Sequence, residues 1–481
     1  MSTEAGEVHG AFLSYASFGD GTDLNRASFG DRAWLFGVSF GEASLLDAVS
    51  FGYLATLGGV SFGDQASLSG VRFGDRADLR GVTFGDEASL CGATFGERAD
   101  LSEVEFGVEA DLTRARFGDG ADLSRATFGA EAKLVGSWFV GDVSCVGAVF
   151  RGQQRTLGPM YAGGTIDLHD VQFRGETRLE IDAAGLVLSR AAFAGPAEIR
   201  VLRARTEASE TTFGGRATIA GLGDARRPLL VFPQDRVMTD HSGAPLREAD
   251  ATAATVLSLR RTDVSTLTIV GVGISEARFA GAQGLERMRL LDASFDEYKG
   301  RQRVAEERLL DDTGDGPTSD EQRLGHPRCT AAQVAEIYRS LRKGREDNAD
   351  APGGNDLYVG EQLMRRRALA DESPRSVANL ARRVLLGLWA WVGGYGVRPG
   401  NPLIALVALT AAGWALAANF GLGRVSSSDA LVFALRSMLL LPNSHNVASS
   451  TSGDALQVAL RVLGPLLIGL IVLGIRAQVK R

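Results

Sequence analysis

The stretch that decides the fold is "VRFGDRADLRGVTFGDEASLCGATF", residues 71–95. Phe73, Phe84 and Phe95 are eleven residues apart, and a Leu stands six residues after each of the first two. The same spacing continues in both directions without a break, with Phe at 18, 29, 40, 51, 62, 73, 84, 95, 106, 117, 128, 139 and 150. Such exact periodicity indicates a repeat architecture.

The period distinguishes a helix from a strand. With each Phe as position 0, position +1 is nearly always Gly, +6 is Leu, and +4 and +9 are small. On an α-helix these apolar positions scatter around the axis, and a Gly in every repeat disfavours a long helix. In extended chain, +4 and +6 face the same way, as do +9 and the next Phe. The repeat therefore predicts short strands and turns, and the Gly at +1 is expected to permit a tight corner.

The pattern Phe-Gly-x-x-Ala-x-Leu-x-x-(Ala/Val)-x-Phe resembles the pentapeptide-repeat family, in the variant that alternates five-residue and six-residue units. The resemblance implies an all-β, right-handed quadrilateral β-helix, a solenoid with four faces and two repeats per turn. Residues 18–150 would then make six turns, about 29 Å of rod at the usual interstrand spacing. The motif is specific for fold and almost silent on function.

Residues 1–150 are predicted to be the regular β-helix, and residues 151–290 a degenerate continuation with a loop insertion at 223–255. In the continuation, Phe173, Phe193 and Phe213 are 20 residues apart, as one coil of four five-residue faces requires.

The N-terminal region is acidic, with 22 Asp and Glu against 10 Lys and Arg in residues 1–150, whereas the remaining residues hold 36 against 41. The resemblance makes a DNA mimic acting on a type II topoisomerase one alternative. However, outward positions of a solenoid must be polar in any case, and cross-coil ion pairs would cancel much of the field. We therefore favour a solvated face and expect no nucleic-acid partner. The interleaved arginines are Arg26, Arg32, Arg72, Arg76, Arg80, Arg98, Arg114, Arg116 and Arg125.

Residues 291–396 are predicted to be a helical connector and an interfacial elbow. Thr330 and Gln333 form a capping-box pattern ahead of a helical apolar stripe. The following segment resembles a connector between pentapeptide repeats and membrane segments in bacterial proteins, through Tyr338, Arg339, Leu341, Arg342, Tyr358, Gly360, Glu361 and Arg365. Glu361 and Arg365 are four apart, which predicts a salt pair on one helix rather than a catalytic role. The apolar, aromatic segment 384–400 is interpreted as the elbow at a membrane interface.

Residues 397–481 are predicted to be a membrane domain, a two-helix transmembrane hairpin with spans at 402–422 and 455–475. The first span lacks charge and is long enough for about 30 Å of hydrocarbon. The second contains Arg461 near one end, where its side chain can snorkel. Basic residues flank the pair of spans, so the positive-inside rule predicts an inner-membrane, multi-pass protein with both termini in the cytoplasm.

Between the spans, residues 429–442 are apolar but too short to cross. The order of these elements, a span, a short helix and a second span, resembles the pore domain of two-helix ion channels. The selectivity filter of a potassium channel has no counterpart here, because Leu441, Pro442 and Asn443 stand where that filter would follow the short helix. Arg436 adds positive potential, which disfavours conduction of cations. An amphipathic helix lying on the membrane explains the same residues, and we prefer an anchor to a pore.

No residue pattern selects a reaction. The five histidines lack metal-ligand spacing, the three cysteines are far apart, and no phosphate-binding loop occurs. The cysteine usage predicts a reducing compartment, and no cleavable signal peptide is expected at the N-terminus. We predict that the protein is not an enzyme and has no catalytic, cofactor-binding or metal-binding residue.

The predicted function is a membrane-anchored scaffold or protein-binding module that contacts the lipid bilayer through its hairpin and an unidentified protein partner through its solenoid. A second copy of the chain, in a homo-oligomer, is a further expected partner. The alternatives are a two-helix, ion-channel-like pore with the solenoid as cytosolic sensor or assembly domain, and the DNA mimic acting on a type II topoisomerase.

Overall fold

The computed structural model describes residues 11–222, 254–311 without 294 and 299, 329–372 without 349, 387, 400–418, 427–442 and 451–479. The chain divides into two compact units: Met1–Glu297 with Arg303–Leu309, and Tyr298–Gln302 with Leu310–Arg481. The first unit is a parallel β-solenoid, which makes about 11 turns, as the repeat predicted. The C-terminal region is helical.

Three parallel sheets run along the solenoid. The first sheet contains Ser17–Phe18, Ser39–Phe40, Ser61–Phe62, Thr83–Phe84, Glu105–Phe106, Thr127–Phe128, Val149–Phe150, Gln172–Phe173, Ala192–Phe193 and Thr212–Phe213. The second contains Ser28–Phe29, Ser50–Phe51, Arg72–Phe73, Thr94–Phe95, Arg116–Phe117, Trp138–Phe139, Gln154–Ala162, Thr177–Asp182, Ala197–Val201, Ala217–Gly221, Leu267–Val270 and Arg289–Leu291. The third contains Ala121–Asp122, Val143–Ser144, Thr165–Asp167, Gly185–Val187, Arg205–Glu207 and Thr255–Ser258.

Single bridges complete the four faces of the regular coils. One column runs through residues 12, 34, 56, 78, 100 and 122, where it joins the third sheet, and the other through 23, 45, 67, 89, 111 and 133. Partners in both columns are 22 residues apart, which is two repeats. Two further strands, Asp296–Tyr298 and Arg301–Arg303, follow the solenoid coils in the chain.

The phenylalanines form two continuous stacks inside the coil. Neighbouring rings in the stacks that begin at Phe18 and Phe29 have centroids 4.6–5.5 Å apart and nearly parallel planes. The small residues at +4 and +9 and the Leu at +6 are buried beside them. Because each ring covers the next, the stacks supply a core that needs no second layer of structure. The six turns predicted between Phe18 and Phe150 are present.

The first stack of Phe rings continues into the irregular part of the solenoid, which follows residue 150. Phe150, Phe173, Phe193 and Phe213 continue the first stack. Their pairing in register confirms that the period shortens from 22 to 20 residues once past residue 173. Most of the predicted loop insertion at 223–255 lies outside the described residues.

The expected reason for Gly at +1 is wrong. The left-handed backbone conformation occurs at +3 and +8, where non-glycine residues such as Arg76 and Arg114 have φ of 56° and 58°. Gly85, at +1, is not in that region. A Cβ on Gly85 would instead lie 2.6 Å from the nitrogen of Asp64 and the carbonyl carbon of Gly63 in the preceding coil. Glycine is needed there because two coils approach closely.

The helices are α1 (Ala305–Asp311), α2 (Ala331–Asp347), α3 (Ala351–Glu372), α4 (Gly400–Leu416), α5 (Ser427–Met438) and α6 (Thr451–Val479). The predicted capping box starts α2, because the Thr330 nitrogen donates to Oε1 of Gln333 and the Gln333 nitrogen donates to Oγ1 of Thr330. The predicted elbow at 384–400 lies outside the described residues, except for 387 and 400.

The two predicted spans differ in the structure. The second, 455–475, lies within α6, where Gly453–Leu473 is long and apolar enough to cross a membrane, with a mean hydropathy of 2.2. The first, 402–422, begins in α4, whose 17 residues are apolar but shorter than a span. Residues 419–422 of that prediction lie outside the described part of the chain. Length and composition therefore indicate one candidate span among the described helices.

Candidate functional site

Acidic side chains at +2 connect successive coils. Oδ1 of Asp64 accepts the Asp86 N–H at 2.8 Å, and Oδ1 of Asp86 accepts the Val108 N–H at 2.7 Å. Asp20, Asp31, Asp75 and Asp119 make the same bond to the following coil, and so does Asp142, at +3 in its repeat. These carboxylates satisfy backbone donors at the corners of the solenoid, so they have a structural role.

A second set of aspartates, at +5, closes turns within a coil. Oδ1 of Asp100, Asp111 and Asp122 accepts the N–H two residues later at 2.8–2.9 Å. Asp78 accepts from the backbone and guanidinium of Arg80. Burial acts to raise the pKa of Asp78, but these hydrogen bonds and the Arg80 charge outweigh it and hold the pKa below the usual value.

Ion pairs across coils are fewer than the interleaved arginines suggested. Of the nine arginines named above, Arg80 and Arg125 form ion pairs within residues 11–222, with Asp100 and Glu103 at 3.4 Å in the neighbouring coils. The acidic composition is therefore explained more by aspartates that bind backbone N–H groups than by charge cancellation. This structural use of the carboxylates adds no support for the DNA-mimic alternative.

The first coils expose a group of aromatic side chains that the sequence pattern did not single out. Phe12, Tyr15, Trp34 and Phe36 form what we call the aromatic patch, and they are 66%, 75%, 46% and 39% exposed. Phe12 and Trp34 are bridge partners on one face, and the Tyr15 and Phe36 rings meet edge to face at 5.8 Å. A usable signal existed, because Trp34 and Phe36 occupy outward positions where other repeats carry mostly small or polar residues.

Metal-ligating and nucleophilic side chains are not grouped. In the part of the chain that the structure describes, no group of three His, Cys, Asp or Glu residues could hold a metal ion. His169 lies 3.5 Å from Asp170, and the other four histidines lie outside the described residues. Cys91, Cys145 and Cys329 are not joined in disulfides. The absence of catalytic, cofactor and metal residues stays a prediction.

The connector motif brings two helices together. Glu361 on α3 is buried, and it pairs with Arg365 of the same helix at 2.6 Å, as predicted, and with Arg342 of α2 at 3.0 Å. The Tyr338 ring packs against Gly360, where a Cβ would lie 2.5 Å from its Cε1. The motif therefore holds α2 and α3 together as a helical hairpin. The pairing of Glu361 with Arg342 could not be predicted from residue spacing, because the two residues lie on different helices.

The three apolar helices pack against one another. Ala434 and Met438 of α5 form a cluster with Leu460 of α6, and Leu406 of α4 packs against it. Gly464 allows close approach, since a Cβ there would lie 2.8 Å from the Cα of Met438. The outer sides of all three helices are apolar and exposed, including Ile404, Val407, Leu431, Val432, Leu435, Val458, Val462, Leu466 and Val472. Large exposed apolar surfaces of this kind mark contact with a membrane or a partner.

Comparison with known proteins identifies the repeat. The family model described as "Pentapeptide repeats (9 copies)" matches residues 57–105. Among solved structures, the chain is similar to HetL, a pentapeptide repeat protein involved in heterocyst differentiation regulation from the cyanobacterium Nostoc sp. Strain PCC 7120. Identity is 16%, coverage is 60% of this chain and 93% of HetL, and the TM-score is 0.19. No curated protein matches the chain.

Proposed function

We propose that this chain, a pentapeptide-repeat protein with a β-solenoid, is a membrane-anchored scaffold that binds a protein partner through the aromatic patch. The exposed patch is the observation that carries the proposal. Aromatic side chains dominate the binding energy of many interfaces, because they bury a large area and lose little conformational freedom. A solenoid of stacked coils also holds them in place before binding, which lowers the ordering cost.

The charge of the N-terminal region defines the chemistry of the partner. Residues 1–150, which include the aromatic patch, hold 22 acidic and 10 basic residues, so the part of the chain that carries the patch has an excess of acidic residues. A partner with an apolar surface flanked by basic residues would be both complementary and steered towards it.

Binding of the partner is tested by capture from membrane extracts with the full-length protein. The patch variant Phe12→Ser with Trp34→Ser removes two outward side chains, and Val140→Ser is the matched control, because Val140 is 53% exposed elsewhere on the solenoid. We expect one protein to be retained by the wild type and by the control and lost by the patch variant. Equal retention by all three would contradict the proposal.

The apolar outer surfaces of α4 and α6 support the proposed attachment to a membrane. The basic residues that flank them favour a multi-pass arrangement with the solenoid and both termini in the cytoplasm of a bacterial-type inner membrane. A periplasm-active phosphatase fused after Arg481 should be inactive, and the same enzyme fused after Asn443 should be active. Activity of the fusion after Arg481 would contradict this topology.

A pore is the second candidate, and the packing of α5 supports it. Ala430, Phe433, Ala434 and Met438 are buried, and the neighbours of these residues belong to both α4 and α6. A helix that only lay on the membrane surface would need no such partners. The test is single-channel recording of the purified protein in a planar bilayer. Unitary currents that change on Arg436→Gln or Pro442→Ala would favour the pore, and a silent bilayer would favour the anchor.

A further inference from the structure

Among the residues that the structure describes, no coil follows the last coil of the solenoid to accept its N–H groups. Along one column of the third face, each inward residue donates its N–H to a carbonyl of the next coil: Leu188 to Glu207 at 2.7 Å, Ala208 to Ser258 at 2.9 Å and Leu259 to Arg278 at 2.8 Å. Phe279 is the next residue in this column, because it follows Arg278 as Leu259 follows Ser258.

A side chain takes the place of the missing carbonyl. Oε1 of Glu306, on α1, accepts the N–H of Phe279, and it also accepts the N–H of Ala280 at 3.0 Å. Glu306 is 3% exposed, and residues 305–309 of α1 belong to the same compact unit as the last coil. The carboxyl therefore extends the hydrogen-bond ladder by one step and ends it, so that the last edge of the sheet is covered.

We propose that Glu306 is a proton-sensitive latch, which holds α1 over the end of the solenoid and releases it when the carboxyl loses its proton. Oε2 of Glu306 is buried without a hydrogen-bond partner, so the ionised form leaves a buried oxygen that carries charge unsatisfied. The charged group that acts on it from the solenoid is Arg260, and Glu307 is a second buried carboxyl on α1.

The direction of the pH dependence follows from the environment. Burial raises the pKa of Glu306 above its usual value, although the backbone N–H groups of Glu306, Phe279 and Ala280 and the charge of Arg260 oppose the shift. A group with a raised pKa in the folded state contributes stability that is present at low pH. That contribution is lost as the pH rises through the folded-state pKa, and the latch then opens.

Hydrogen exchange of the full-length protein tests the latch at the amides of Phe279 and Ala280. We expect their protection, corrected for the intrinsic effect of pH on exchange, to fall by at least about tenfold as the pH rises in the wild type. Glu306→Gln keeps an acceptor that does not titrate, so its protection should not change with pH. Glu307→Gln is the matched control and should behave like the wild type.

A second variant separates capping from titration. Glu306→Leu removes the acceptor at similar size, so the two amides should exchange rapidly at every pH. Protected amides in Glu306→Leu would overturn the cap, and equal pH profiles for the wild type and Glu306→Gln would overturn the latch. If Glu306→Gln does not fold, the comparison of the wild type with Glu307→Gln and Glu306→Leu still decides both points.

Discussion

Replacing Gly85 by Ala should open the regular solenoid, whereas the same change at Gly81 should not. The new Cβ at 85 would lie 2.6 Å from backbone atoms of the preceding coil, and ordinary contact begins at 3.4 Å, so the coils must separate by roughly 0.8 Å. The Gly85 N–H to Phe62 bond of 2.9 Å and the Asp86 N–H to Asp64 bond of 2.8 Å would then exceed the usual hydrogen-bond length.

The expected cost can be worked out from these contacts. Two lost hydrogen bonds contribute about 1 kcal/mol each, and overpacking adds about 1–3 kcal/mol, so local destabilisation should be about 3–5 kcal/mol. Gly81 has φ of 62°, and a Cβ added there would have no other atom within 4 Å, so Gly81→Ala meets only backbone strain of about 1–2 kcal/mol.

Hydrogen exchange at the amides of residue 85 and Asp86, which donate the two affected bonds, gives a free energy of local opening and measures both effects in the intact protein. Gly81→Ala is the matched control, because it carries the same chemical change four residues away in an open position. Equal opening free energies for the two variants would refute the explanation of Gly at +1 by close approach of coils.

Three further predictions concern buried groups. Glu361→Gln should destabilise the α2–α3 hairpin by about 3 kcal/mol, because Arg342 loses a buried partner, whereas Arg365→Gln should cost less than about 1 kcal/mol; exchange over α2 and α3 measures both. Phe106→Ala should lower the free energy of unfolding of the solenoid by about 3–5 kcal/mol, because it interrupts a ring stack. Val108→Ala, at an exposed side chain, should have little effect; hydrogen exchange over the solenoid coils measures both. Burial, aided by the carboxylates of Asp167 and Asp122, raises the pKa of Cys145 to about 12, so iodoacetamide at pH 8 should modify Cys91 and spare Cys145 until urea is added; labelling of both in the folded protein would contradict this.

The period of the sequence predicted the solenoid because every large inward side chain repeats. The two Phe columns and the shorter coils after residue 173 follow directly from that spacing. The role of Gly85 could not be read in the same way, since a single repeat does not show how closely the next coil approaches. The distance between coils is a property of the stack.

Contacts between distant segments explain the other surprises. Glu306 caps Phe279 from 27 residues away, and no periodic signal relates the two. Arg342 reaches Glu361 across a helical hairpin, whereas Arg365 was predictable because it lies one turn further along the same helix. The aromatic patch was readable from outward positions at 34 and 36, but the repeat pattern draws attention to inward residues alone.

The alternation of two phenylalanine columns has a consequence for insertions and deletions. Neighbouring repeats place their Phe strands on opposite faces of the solenoid, and the buried side chains of the two faces are alike. Removal of one eleven-residue repeat would therefore preserve the core. It would also rotate all coils before the deletion by half a turn about the solenoid axis. The aromatic patch would then point the opposite way relative to α1. The number of eleven-residue repeats therefore sets both the length of the solenoid and the direction in which the side chains of its first coils point.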